Sequence, residues 1–149
     1  MAARLDVRRL AKLVHSFREL RLLVLGDVVL DEYLWGDVER VSPEAPVPVV
    51  HVQRESMVLG GAGNVVRNVI ALGAACDFCT AVGEDRAGER VLEMLTELGV
   101  DTHGSVRVAG RPTTRKTRVV ARSQQIVRFD RETSEALPAS AARALLGAI

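Results

Sequence analysis

Two short apolar runs that end at glycine, each followed by a glycine-closed helical stretch, constrain this chain most. Arg21–Gly26 has the pattern of a buried parallel strand. Ala74–Val82, ended by Gly83, repeats it. Asn64–Leu72 carries helical spacing with Gly73 placed as its C′ residue. Asp85–Leu98 sets Val91, Leu92, Leu95 and Leu98 on one apolar face, and Gly99 closes it. Strand, helix, strand, helix predicts an α/β sheet with right-handed crossovers.

Other segments interrupt that rhythm. Tyr33–Val41 is mixed, and Pro43, Pro46 and Pro48 impose extended or turn geometry after it. Val47–Val58 reads as a partly alternating strand, and Gly60, Gly61 and Gly63 form a turn. Beyond Val100, Thr113–Ala121 and Gln124–Arg131 read as a hairpin joined at Arg122–Ser123. A last helix starts near Pro138, and Ala141–Ile149 is still apolar where the sequence stops, the pattern of a fragment. At the other end, Val7, Leu10, Ala11, Val14 and Phe17 predict a surface helix packed on the domain. Asp6 and Glu19 make Met1–Leu20 a poor transit peptide.

A chain of 149 residues, 48% of them apolar, builds one cored domain. Its net charge of +1 argues against nucleic-acid binding through bulk electrostatics. No apolar run reaches the ~18 residues of a membrane span, so no membrane partner is expected and the cytoplasm is the default compartment. Cys76 and Cys79 form a lone C-x-x-C without the second pair or nearby His that zinc requires. Strand alternation puts them on opposite faces, as structural cysteines.

Three groups of residues can carry chemistry. Gly60, Gly61 and Gly63, followed by Asn64, open a helix, where bare backbone and free N–H groups admit an oxygen-rich ligand. A dinucleotide fingerprint would need Gly or Ala where Val66 stands, and Glu84 falls past the strand end where a ribose-binding acid would sit. A plain turn explains the glycines equally well. Asp27 and Asp31 flank the exit of the first strand, where carboxylates can accept bonds from sugar hydroxyls or remain solvated loop acids. Two acids are few for a metal. Lys116 and Arg118 share one strand face and could hold a phosphate or belong to a solvated surface. Gln124 and Gln125 could add hydroxyl contacts or simply shape the turn.

Gly60-Gly61-Ala62-Gly63-Asn64, with Gly73 and Gly83 at their spacings, resembles the first signature of PfkB/ribokinase-type carbohydrate kinases, with Val66 where that signature has Ser, Thr or Ala. Gly26–Asp31 is similar to that family's sugar-binding strand exit. Val41–Val49, Thr114–Arg118 and Arg122–Asp130 resemble the branch that phosphorylates D-glycero-D-manno-heptose 7-phosphate at C1 on the route to ADP-heptose and lipopolysaccharide.

The resemblance implies a ribokinase-like α/β fold: part of a mostly parallel central sheet with flanking helices, plus a small β-lid from strands at about 33–58 and 113–131. It implies sugar contacts from Asp31, Asp27, Gly60, Gly61 and Asn64, with Lys116 and Arg118 as 7-phosphate candidates. It also implies a homodimer through the lid, and ATP with Mg²⁺ as cofactors of the whole enzyme. The family's second signature, Asp-Thr-x-Gly-Ala-Gly-Asp, does not occur in the sequence. Residues 1–149 would thus be the N-terminal, acceptor-binding part of a kinase domain, without the ATP-binding half, the general base or the anion hole, and inactive alone. A kinase for another sugar, and a non-catalytic sugar-binding or dimerisation module, are the competing readings.

Overall fold

The structure, a computed structural model, describes residues 6–149. Its first element, helix α1 (Val7–Ser16), starts where the Asp6 side chain accepts a bond from the Arg9 amide at 3.0 Å. A 3₁₀ turn, Phe17–Glu19, leads out of it. The expected helix forms, but its packing differs from expectation. None of its residues is buried, and Val7 is 70% exposed. Its apolar stripe borders an open groove with Ala71 and Leu72 instead of entering the core. Residues 1–5 of the amphipathic stretch lie outside the described residues.

The first sheet has three strands. Strand β1 (Arg21–Leu25) pairs in parallel with β4 (Ala75–Gly83), and β4 pairs in parallel with β5 (Ser105–Val108). The order β1-β4-β5 leaves β1 with one neighbour. For that reason its leucines are not buried as the apolar pattern suggested: Leu22, Leu23 and Leu25 are 39%, 45% and 55% exposed. Central β4 is the buried strand, with Phe78 and Val82 each at 1%. Strand β5 escaped the sequence reading because four residues behind Gly104 offer too little pattern to count.

Helices α2 (Ala62–Ala71) and α3 (Arg86–Glu97) bring Val66, Val91 and Leu95 against Cys76, Phe78 and Val82. This shared layer is the hydrophobic core, and Val28, Leu30 and Leu59 join it. Gly73 (φ +93) and Gly99 (φ +74) end the two helices in the left-handed region that glycine enters without penalty. Helix α4 (Ala139–Gly147) packs on β4 and β5 through Ala141 and Leu145. Cys76 and Cys79 are buried free thiols on opposite strand faces, and burial pushes the Cys76 thiol up.

The second sheet has four strands in the order β3-β2-β6-β7. Strand β2 (Val28–Val41) absorbs the mixed segment read after Tyr33 and runs antiparallel to β3 (Pro48–Gly61). It also pairs in parallel with β6 (Arg115–Ala121), which forms the expected hairpin with β7 (Gln124–Arg131). The hairpin turns on Arg122 (φ 49) and Ser123 (φ 65), two positive values that match strand twist. Leu30 and Leu59 anchor this sheet in the core at its root.

Candidate functional site

The root of the second sheet brings Asp31 and the glycine turn together. Gly60 and Asp31 lie on adjacent strands, and a Cβ on Gly60 would fall 2.1 Å from Asp31 Oδ2. Glycine at position 60 therefore leaves the seat that the carboxylate occupies. Its other oxygen, Oδ1, accepts a bond from Arg118 Nη1 at 2.5 Å, between side chains only 17% and 20% exposed. Gly61 (φ +57) turns the chain into α2, and the Asp27 carbonyl accepts from the Ala62 amide at 2.9 Å. A Cβ on Gly61 would approach that carbonyl oxygen to 2.5 Å, so the turn requires glycine on both counts. Asn64 is exposed in the first turn of α2, and Asp27 is exposed at the β1 exit.

This donor set suits neutral hydroxyls. Arg118 balances the Asp31 charge, so the exposed Asp27 carboxylate is what makes the opening of α2 unfavourable for a phosphate despite the amides. The start of α3 is already occupied by its own Asp85, whose carboxylate accepts from the Gly88 amide at 2.8 Å. Among the described residues no three His, Cys, Asp or Glu side chains group as a metal site. Nor does a dinucleotide fit: the position that would need Gly or Ala is Val66, fully buried in the core.

The basic strand is organised otherwise than its charge alone suggested. Lys116 and Arg118 do share the sheet face of Asp31, with Asp31 opposite Lys116 and Tyr33 opposite Arg118. Both cations are already engaged. Lys116 Nζ donates to Asp130 at 3.2 Å and Glu132 at 3.3 Å, which holds its pKa above the ordinary value. Arg118 is raised chiefly by its bond to Asp31, and its guanidinium lies 5.2 Å from the Tyr33 ring centre. Burial opposes ionisation of Asp130, but Lys116 and Arg128 outweigh it and lower its pKa. Gln124 pairs with Ala121 at the hairpin tip. That is about 16 Å along β6 from Lys116, at ~3.3 Å per residue. The structure thus does not bring Gln124 to Asp31.

Two arrangements escaped sequence reasoning. Tyr33 and Trp35 follow Asp31 at strand alternation on the same face, with ring centres 5.6 Å apart and planes 14° apart. Trp35 donates its indole N–H to Ser56 Oγ at 3.0 Å, and Arg54 lies 4.8 Å over its ring. The period-2 spacing of 31, 33 and 35 was the available signal. The second arrangement ties the two sheets. Asp85 accepts from the Thr113 amide at 3.0 Å and its hydroxyl at 2.7 Å, and the Gly83 amide donates to Thr113 Oγ1 at 2.8 Å. Thr113 is 2% exposed and stands two residues before β6. Further along, Thr117 donates to Glu32 at 2.6 Å on the face away from Asp31.

Asp31, Gly60 and Gly61 thus place a carboxylate beside a glycine turn where a three-stranded parallel sheet meets a four-stranded one. Residues 20–147 match the pfkB family of carbohydrate kinases, and the chain belongs to that family. It is 50% identical over 139 residues to the Bifunctional protein HldE of Pelobacter propionicus, covering 93% of this chain and 28% of that protein. To the protein of the same name from Magnetococcus marinus it is 52% identical over 130 residues, covering 87% and 27%. The chain therefore spans under a third of the length of these relatives. Among solved structures, a ribokinase from Cryptococcus neoformans in complex with ADP aligns with a TM-score of 0.52 and 26% identity, over 75% of this chain and 33% of that one. A carbohydrate kinase from Agrobacterium tumefaciens aligns with a TM-score of 0.57 and 22% identity, over 75% and 35%.

Proposed function

We propose that this chain is the acceptor-sugar-binding part of an ATP-dependent kinase that phosphorylates D-glycero-D-manno-heptose 7-phosphate at C1, in cytoplasmic ADP-heptose synthesis. The observation that carries the reading is the Asp31 carboxylate seated over Gly60 and fixed by Arg118. Held this way, it accepts bonds from sugar hydroxyls without first having to be ordered. Gly60 and Gly61 let the sugar approach the backbone, and Asn64 and Asp27 add contacts from the start of α2 and the β1 exit. The four-stranded sheet acts as a lid that excludes water from the acceptor hydroxyl. The HldE relatives and the Val41–Val49 and Arg122–Asp130 segments favour the heptose branch.

ATP and Mg²⁺ belong to the whole enzyme, and no residue described above fits them. The exposed Asp27 carboxylate disfavours a triphosphate, and no acidic trio is present among the described residues. Asn64 offers an amide where a general base needs a carboxylate. The chain alone is therefore expected to bind sugar without turning over ATP. Isothermal titration tests this: heptose 7-phosphate should bind about tenfold or more tighter than ribose. Equal affinity for ribose would overturn the heptose branch, and ATP turnover by this chain would overturn the division of labour.

The lid's other face favours a homodimer. Register places Met57, Val127 and Phe129 on the side away from Asp31, where they are 39%, 48% and 52% exposed. Exposed apolar surface of this kind seeks a partner, and the proposed occupant is the same face of a second copy. Sedimentation velocity should show a wild-type dimer that Phe129→Asp converts to a folded monomer. A monomeric wild type would dismiss it.

A further inference from the structure

The sheet face that carries Asp31 continues into a strip of rings and cations that the acceptor cradle does not use. Tyr33 and Trp35 lie stacked along it, and Trp35 is held in place by its bond to Ser56. Cations line the strip, but most are neutralised: Arg118 by Asp31, Lys116 by Asp130 and Glu132, and Arg128 by Asp130. Arg54 differs. It is exposed, lies over the Trp35 ring, and forms no ion pair with any carboxylate among the described residues.

We infer that Arg54, braced on Trp35, binds the phosphate of the acceptor, a role that the charge of the basic strand had pointed toward Lys116 and Arg118. The inference rests on the acceptor being a sugar phosphate held by Asp31. An anion reaching Lys116 would have to compete with two carboxylates already bonded to it, and one reaching Arg118 would have to displace Asp31. An anion reaching Arg54 displaces only water. The ring keeps the guanidinium plane oriented without consuming its N–H donors, so the fork stays free for two phosphate oxygens. Trp35 lies four residues beyond Asp31, about 13 Å at ~3.3 Å per residue. That separation sets a sugar's hydroxyls at one end and its phosphate-bearing tail toward the other, within reach of a long side chain.

The test is isothermal titration of the chain with D-glycero-D-manno-heptose 7-phosphate and, separately, with the unphosphorylated heptose. Arg54→Gln should weaken the phosphorylated sugar about tenfold or more and leave the plain sugar within about twofold. Arg54→Lys, which keeps the charge but loses the fork, should fall between wild type and Gln. Thermal melts of both variants check that the fold is intact. An unchanged affinity for the phosphorylated sugar in Arg54→Gln overturns the inference, as does an equal loss for both sugars, which would mark a structural role. So does a loss of phosphate preference in Lys116→Gln but not in Arg54→Gln. A wild type that prefers neither form of the heptose overturns the inference and leaves the sugar cradle standing. A wild type that binds neither overturns the proposed function itself.

Discussion

Asp31→Ala is expected to weaken heptose 7-phosphate binding by about a hundredfold, the worth of hydrogen bonds to a charged acceptor. It removes the acceptor that Gly60 makes room for and leaves Arg118, itself only 20% exposed, without its partner. The loss therefore has two parts, and a double-mutant cycle with Arg118→Ala separates them. If Arg118 serves by fixing the carboxylate, the double variant binds about as weakly as Asp31→Ala alone. Titration of the four proteins checks this. Binding by Asp31→Ala within about threefold of wild type would remove Asp31 from the site.

Asp85→Ala is expected to cost about 2–4 kcal/mol of stability, combining a lost helix cap with the stranding of buried Thr113 donors. Asp85 takes three bonds, from the Gly88 amide and from the amide and hydroxyl of Thr113. Burial opposes its ionisation, yet those bonds outweigh the penalty and hold its pKa below the ordinary carboxylate value. The sign follows from linkage. With the folded pKa depressed, the unfolded chain binds the extra proton, so the contribution is present above the unfolded value of ~3.9 and is lost as acid protonates the folded form. Denaturant melts at a series of pH values should show wild type and variant converging below about pH 4. A gap that stays constant into acid would mean that the carboxylate charge is not what ties the sheets.

The strand–helix alternation was legible because glycine punctuation and apolar spacing are local. Gly73 and Gly99 close the helices they were expected to close, and Asp85 starts the one it was expected to start. The burial of Arg21–Leu25 was misjudged because an apolar run reports what a strand prefers, not how many neighbours it has. The proposed cradle was legible as far as Asp31 and the glycines, whose placement at the strand exit and the helix start follows from the backbone. Lys116 and Arg118 were placed on the right face by alternation, but their partners come from β7 and β2, and pairing across strands depends on register. Gln124 follows the turn as the sequence indicated, and its distance from Asp31 comes from the length of β6, along which the pairing runs from root to tip. Trp35 and Arg54 meet because the register set at Val28–Gly61 runs unbroken as far as that pair and shifts only beyond it.

The open side of β1 has a phase. The Leu20 carbonyl accepts from the Ala75 amide and the Gly26 amide donates to the Cys79 carbonyl, so even-numbered backbone groups point toward β4. Arg21, Leu23 and Leu25 then turn their N–H and C=O groups outward, a comb unpaired among the described residues with teeth at every second position. Any strand that extends the sheet must mesh with those three residues and cover leucines that are already half exposed. The edge thereby dictates the register of its neighbour, and a slip by one residue would turn that neighbour's side chains to the opposite face.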